Sequence, residues 1–183
     1  MPRQIGYIVG SLRKESLNRK LAAALIKLAP PDFIFKELKI GDQPLFNQDD
    51  EKSQAPEVQR LKSELRAVDA VLFITPEYNR SIPGVLKNAL DNASRPYGQN
   101  AWAGKPAGIV GISIGAVSTA VAQLHLRTIL AYLDMPTLAQ PEAYLQHRDG
   151  FFDESGNIAN ADTRKFLHGW MDKYAAWVKR LTG

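Results

Sequence analysis

Ile5-Gly6-Tyr7-Ile8-Val9-Gly10-Ser11-Leu12-Arg13-Lys14-Glu15-Ser16-Leu17-Asn18 is the stretch whose reading decides the fold. Its first five residues lack any charge, as a strand buried on both faces requires. From Asn18 to Leu28 the apolar residues Leu21, Leu25 and Leu28 recur at helical spacing. Between strand and helix lies a loop of small hydroxyl and amide side chains with Arg13 beside it. Helix-opening N–H groups and a cation concentrated at one point make an anion site. The loop has neither the Lys-Ser or Lys-Thr ending and glycines of a nucleoside-triphosphate loop nor the Gly-x-Gly-x-x-Gly of dinucleotide binders. Ser11, Ser16 and Asn18 can donate to phosphate oxygens, the N–H groups near Ser16, Leu17 and Asn18 can point into the same space, and Arg13 can add a charge-assisted bond. That set suits a terminal monophosphate. The plainer alternative is that Ser16 or Asn18 only caps the helix.

Working outward, three further apolar runs read as buried parallel strands, Phe33–Leu38, Ala70–Thr75 and Ala107–Ser113. Helical patterns at Pro56–Val68, Val85–Ala93 and Ala120–Leu133 separate or follow them. The order βαβαβαβα predicts an α/β fold with an open, doubly wound parallel sheet. A fifth strand is expected within Pro136–Tyr144, interrupted by Pro136 and Pro141. Arg148–Asn157 reads as loop, and Asp162–Leu181 as a closing helix whose Phe166, Trp170, Tyr174, Trp177, Val178 and Leu181 face the core. No repeat or linker divides the chain, so a single domain over residues 1–183 is expected. In such a sheet a ligand sits beyond the carboxyl ends of the strands where their order reverses, which directs attention to the loops after the first, third and fourth strands.

The third-strand loop is Pro76-Glu77-Tyr78-Asn79-Arg80-Ser81-Ile82-Pro83-Gly84. Its prolines, central Asn and Gly make a rigid turn, with Pro83 suited to a helix start. Tyr78 offers a flat apolar face to a ring system, and Asn79 and the backbone can bond to heteroatoms on the ring's edge; a turn alone is the competing account. The fourth-strand loop, Gly111-Ile112-Ser113-Ile114-Gly115, matches Gly-x-Ser-x-Gly and admits a serine hydrolase, with Ser113 as nucleophile, His147 or His168 as base and Asp134, Asp149 or Asp153 as orienter. That account leaves the two earlier loops unexplained.

Composition narrows the classes. With 183 residues, 45% apolar and 23% charged, the chain has the balance of an ordinary globular protein. The lack of Cys excludes disulfides, thiolate metal sites and Cys nucleophiles. The net charge of +4 is spread without a basic tract, which argues against nucleic acid; the local excess at Arg13, Lys14, Arg19 and Lys20 suits a small anionic ligand. No run is long enough to span a membrane and Met1-Pro2-Arg3-Gln4 opens no signal peptide, so a cytoplasmic location is expected. His125, His147 and His168 have no metal-ligand spacing, and no metal is expected.

Taken together, Gly10-Ser11-Leu12-Arg13 with Ser16 and Asn18, and Pro76-Glu77-Tyr78-Asn79 with Ser81, Pro83-Gly84 and Leu86-Lys87-Asn88-Ala89, closely resemble the NAD(P)H-dependent FMN reductases that include bacterial chromate and quinone reductases. The likeness extends to Ala103-Gly104-Lys105-Pro106 and His125-Leu126-Arg127. It implies a flavodoxin-like sheet of order 2-1-3-4-5, FMN as cofactor and NADH or NADPH as hydride donor. It also implies a small-molecule acceptor: quinones, with chromate, azo compounds, ferric complexes or free flavin as side substrates. By resemblance the first loop, Ser11, Arg13, Ser16, Leu17 and Asn18, holds the phosphate, and Pro76, Glu77, Tyr78 and Asn79 lie against the isoalloxazine. Ser113 and Gly115 are candidate contacts at the flavin edge. No catalytic side chain is implied, since the flavin carries the chemistry. Members of the family form dimers or tetramers; His125 is a candidate for a hydrogen-bonded structural role or a subunit contact, and Arg127 for a subunit contact or the phosphates of the nicotinamide nucleotide. A flavodoxin-type electron carrier is the non-enzymatic alternative, but such carriers present acidic faces and this chain is net positive.

Overall fold

The computed structural model describes residues 2–183. In chain order the elements are β1 (Arg3–Val9), α1 (Leu17–Leu28), β2 (Phe33–Glu37), a 3-10 turn (Gln48–Ser53), α2 (Pro56–Ala67), β3 (Ala70–Ile74), α3 (Gly84–Ala93), β4 (Ala107–Ser113), α4 (Ala120–Tyr132), β5 (Tyr144–Gln146) and α5 (Ala161–Thr182). The strands form one sheet of order β2-β1-β3-β4-β5, parallel throughout. This is the flavodoxin-like order, whose reversal falls between β1 and β3.

The strands read as continuous apolar runs because both faces of the sheet are covered. Successive side chains point to opposite faces. Ile5, Leu72, Ile74, Val110 and Ile112 pack with Leu21 and Leu25 of α1 and Leu167, Trp170 and Tyr174 of α5. Ile8, Val71, Phe73 and Ile109 pack on the other side with Leu61 and Leu65 of α2, Leu86 and Leu90 of α3, and Leu126 and Leu130 of α4. Two cores therefore sandwich the sheet, and the four crossovers bring the ends of β1, β3 and β4 side by side. Val9 stands in register with Ile74, and Ile74 with Val110, so β4 runs three residues further, to Ser113.

The fifth strand differs from expectation. It occupies Tyr144–Gln146, touching the expected span only at Tyr144. Thr137 makes one isolated bridge with Ala107, after which the chain leaves the ladder until Ala143 accepts from the Gly111 N–H. Pro141 has no N–H to offer, which explains why no continuous strand forms there. The Arg148–Asn157 segment contains structure of its own: Phe152 and Ile158 form a bridge, and the Asp153 carboxylate accepts from the Asn157 amides. On α5 the buried stripe is Leu167, Trp170, Met171, Tyr174 and Val178, while Phe166 and Leu181 lie exposed.

Candidate functional site

Between the ends of β1, β3 and β4 the backbone itself forms the floor. Gly10 and Gly111 both press on Thr75. A Cβ at Gly10 would sit 2.8 Å from the Thr75 Oγ1, and one at Gly111 2.2 Å from its carbonyl oxygen. Any larger residue would force these segments apart. Thr75 is fully buried, and its hydroxyl donates to the Pro76 carbonyl at 2.9 Å. Sequence reasoning missed Thr75, although a hydroxyl ending an apolar run was a visible signal.

The first loop is an anion cradle at the start of α1. Ser16 is the N-cap, its Oγ accepting from the Arg19 N–H at 3.3 Å, so the capping reading holds. A hydroxyl can accept and donate at once, and the Ser16 O–H stays available. Among the described residues the Leu17 and Asn18 amides have no protein acceptor, as the first amides of a helix lack partners inside it. Arg13 is exposed, and its own N–H donates to the Ser11 Oγ at 3.3 Å.

Asn18 has a structural task beyond the expected one. Its side chain is buried, with Nδ2 donating to the Ile112 carbonyl at 2.9 Å and Oδ1 accepting the Ile112 N–H at 3.1 Å. Both ends of the amide are thus committed to β4. The second N–H of Nδ2 and the backbone N–H are left for a ligand, and the bonds to Ile112 fasten the start of α1 to the end of β4.

After Pro76, the Glu77 side chain also has a structural task. Its carboxylate is 6% exposed; Oε2 accepts the Ala122 N–H of α4 at 2.9 Å, and Oε1 accepts from Arg80 at 3.3 Å. An anion is stabilised at a helix N-terminus by the unpaired N–H groups and the dipole. The Glu77 carboxylate therefore anchors the loop, and what Glu77 can offer a ligand is its main chain. Beyond it Tyr78 and Ser81 exchange two backbone bonds of 3.0 Å across a turn whose central residues, Asn79 and Arg80, have φ of 49° and 63°. The Tyr78 ring is left 49% exposed, its hydroxyl 3.4 Å from that of Ser11, which brings the first and third loops together. Ser81 Oγ lies 3.0 Å from His125 Nδ1. Since Ala122 and His125 are one helical turn apart, α4 holds the Tyr78 turn on both sides.

Ser113 lies at the end of β4, its Oγ accepting the Gly115 N–H at 3.1 Å. None of the three imidazoles bonds to it: His125 meets Ser81, His147 packs on Phe151 and Phe152, and His168 pairs with Asp172 on its own helix. A nucleophile–base pair, the requirement of a serine hydrolase, is therefore not assembled. Arg127 is committed inside the chain, donating to the Leu138 carbonyl at 2.8 Å and approaching Glu142 at 3.9 Å. Among the described residues no group of three or more His, Asp or Glu side chains could hold a metal. No described helix is long and apolar enough to cross a membrane.

Two free helix-start amides, the Ser11 and Ser16 hydroxyls and the Arg13 guanidinium fit a monophosphate, and the open face of Tyr78 fits a flat ring, so the arrangement accommodates FMN. The comparisons with known proteins agree. A family model for NADPH-dependent FMN reductase matches residues 3–149. A 2-hydroxy-1,4-benzoquinone reductase of a Burkholderia species is 54% identical over 180 residues, covering 98% of both chains. A quinone reductase of Pseudomonas putida is 51% identical over 176 residues, covering 96% of this chain and 94% of the relative. The solved structure of FerB, a flavoenzyme NAD(P)H:(acceptor) oxidoreductase from Paracoccus denitrificans, superposes with a TM-score of 0.93 at 44% identity, covering 97% of this chain and 98% of that one. With fold, cradle and relatives in agreement, the chain belongs to the NADPH-dependent FMN reductase family, flavoenzymes that use FMN as cofactor and NAD(P)H as electron donor.

Proposed function

We propose that this chain is an NAD(P)H:quinone oxidoreductase acting by a ping-pong sequence, in which the nucleotide leaves before the quinone enters the same open face. Bound FMN supplies the acceptor of a hydride and the store of two electrons. The protein's part is to bind, orient and leave one face accessible. Leu17 and Asn18 N–H groups with Ser11, Ser16 and Arg13 hold the phosphate. Pro76, Tyr78 and Asn79 flank the ring, and Ser113 and Gly115 reach its edge. The observation that carries this reading is the convergence of the amide-lined start of α1 and the exposed Tyr78 ring at the reversal of strand order, joined by the Ser11–Tyr78 contact. The two relatives named for quinone reduction support quinones as acceptors. Chromate, azo compounds, ferric complexes and free flavin are side substrates of the same face.

The test begins with the visible spectrum of the purified protein before and after NADPH, without air. Bleaching of a bound flavin by NADPH alone is expected; a carrier would need a separate reductase. Steady-state rates with NADPH against benzoquinone should then give parallel double-reciprocal lines. Intersecting lines would contradict a shared face.

The working protein is, on this reading, a cytoplasmic single domain spanning residues 1–183 that assembles as a homodimer or homotetramer. The outer side of α4 supports assembly, since Leu124, Thr128, Ala131 and Tyr132 are exposed there at helical spacing without a charge among them. Light scattering on the FMN-loaded protein gives the state directly.

A further inference from the structure

Arg80 occupies the second central position of the Tyr78–Ser81 turn, in the left-handed region with φ of 63°. Asn79, at the first position, belongs to a residue type that tolerates this conformation; at the second, glycine is the natural choice, because a Cβ there is crowded. A turn that only reversed the chain would be better served by Gly. The side chain is 66% exposed, and its one ion-pair partner is the buried Glu77 carboxylate at 3.3 Å. Glu77 is itself fixed by the Ala122 N–H of α4. A rooted carboxylate thus holds one corner of the guanidinium and leaves the other donors turned to solvent, two residues from the Tyr78 ring. Lys87, on the helix that follows the turn, is paired with Asp91.

The chain has no dinucleotide-binding Gly-x-Gly-x-x-Gly loop, so the phosphates of the reducing nucleotide must be met by side chains at the rim of the site. The first loop is occupied with the FMN phosphate. We infer that Arg80 is the residue that recognises a phosphate of the nicotinamide nucleotide, through the planar two-pronged donor set that guanidinium offers to phosphate. This rests on the placement of Tyr78 beside the flavin ring. Arg80 is a nucleotide-binding residue and takes no part in electron transfer.

The experiment compares Arg80→Gly and Arg80→Lys with the parent, all loaded with FMN. Binding of NADP+ is followed by calorimetry, and KM for NADPH and for NADH is determined with benzoquinone as acceptor. Arg80→Gly removes the charge while easing the turn, so its melting temperature should not fall. Its Kd for NADP+ and KM for NADPH should rise roughly tenfold, as for a lost charge-assisted bond, with Arg80→Lys recovering part. An equal rise for NADH assigns the contact to the diphosphate, and a rise confined to NADPH assigns it to the 2′-phosphate; either supports the proposal. Unchanged Kd and KM in an FMN-loaded Arg80→Gly protein would overturn it. Failure of Tyr78→Ala to alter the flavin spectrum would instead overturn the ring placement beneath it.

Discussion

Asn18 and Ile112 are joined by two hydrogen bonds of 2.9 and 3.1 Å, the side-chain amide of one satisfying both main-chain groups of the other. The pair fixes the start of α1 against the end of β4, and with it the phosphate cradle against the loop that begins at Ser113. Replacing Asn18 by Leu leaves a buried N–H and C=O without partners, at a cost of about 2–5 kcal/mol. FMN affinity should fall with stability, because the two loops lose their common register. Denaturant melts of the apoprotein together with FMN titration check this, and Asn18→Leu with parental FMN affinity would contradict the coupling.

Arg13 is exposed, and on the proposed reading its guanidinium donates a charge-assisted bond to the FMN phosphate. Arg13→Ala should weaken FMN binding by about 1.5 kcal/mol, roughly tenfold, with little change in the apoprotein's melting temperature. The loss should shrink as salt rises, since an exposed charge is screened. Flavin fluorescence titrations at two ionic strengths provide the measurement.

Glu77 predicts a different pattern. Glu77→Leu removes the cap on α4 and the root of Arg80, and should destabilise the fold by about 1–2 kcal/mol. Glu77→Gln keeps an acceptor for the Ala122 N–H and should recover most of that loss. Thermal melts of the two variants separate the hydrogen bond from the charge, and equal losses in both would assign the effect to the charge.

Burial, followed by the hydrogen bond and charge of Glu142 and offset in part by Arg127, pushes the Tyr144 phenol up to about 12 from an ordinary value of 10.0. Between those values the unfolded state holds fewer protons than the folded state. The corresponding stability is therefore present below pH 10 and is lost as pH rises toward 12. Tyr144→Phe should show a shallower alkaline decline in thermal melts between these limits.

Much of the architecture was legible because sheets covered on both faces impose unbroken apolar runs, as at Ala107–Ser113, and their helices impose stripes such as Leu21, Leu25 and Leu28. Boundaries moved by a residue or two where a capping residue such as Ser16 set the end. The fifth strand was misplaced because Tyr144–Gln146 is too short to show a period, while the prolines before it drew attention to the wrong segment. At the site, the Tyr78 turn was legible because Asn79 and the flanking prolines announce a rigid reversal, and the Ser16 cap because a hydroxyl before an apolar stripe marks a helix start. The assignments of Asn18 and Glu77 could not be made from sequence. Their partners, Ile112 and Ala122, contribute only main-chain groups, and a backbone N–H leaves no mark in the choice of residue.

The meeting of Gly10, Gly111 and Thr75 beneath the crevice has an evolutionary consequence. Where main chain abuts main chain, substitution cannot adjust a contact by degrees; it either preserves the spacing or breaks it. The floor between the strand ends is in this sense frozen, while the side chains of Arg13, Tyr78 and Arg80 stand exposed at its margin. Divergence among such reductases is thereby channelled to the margin, where an exchange of one exposed side chain can change which nucleotide or oxidant is accepted without disturbing the seat of the cofactor.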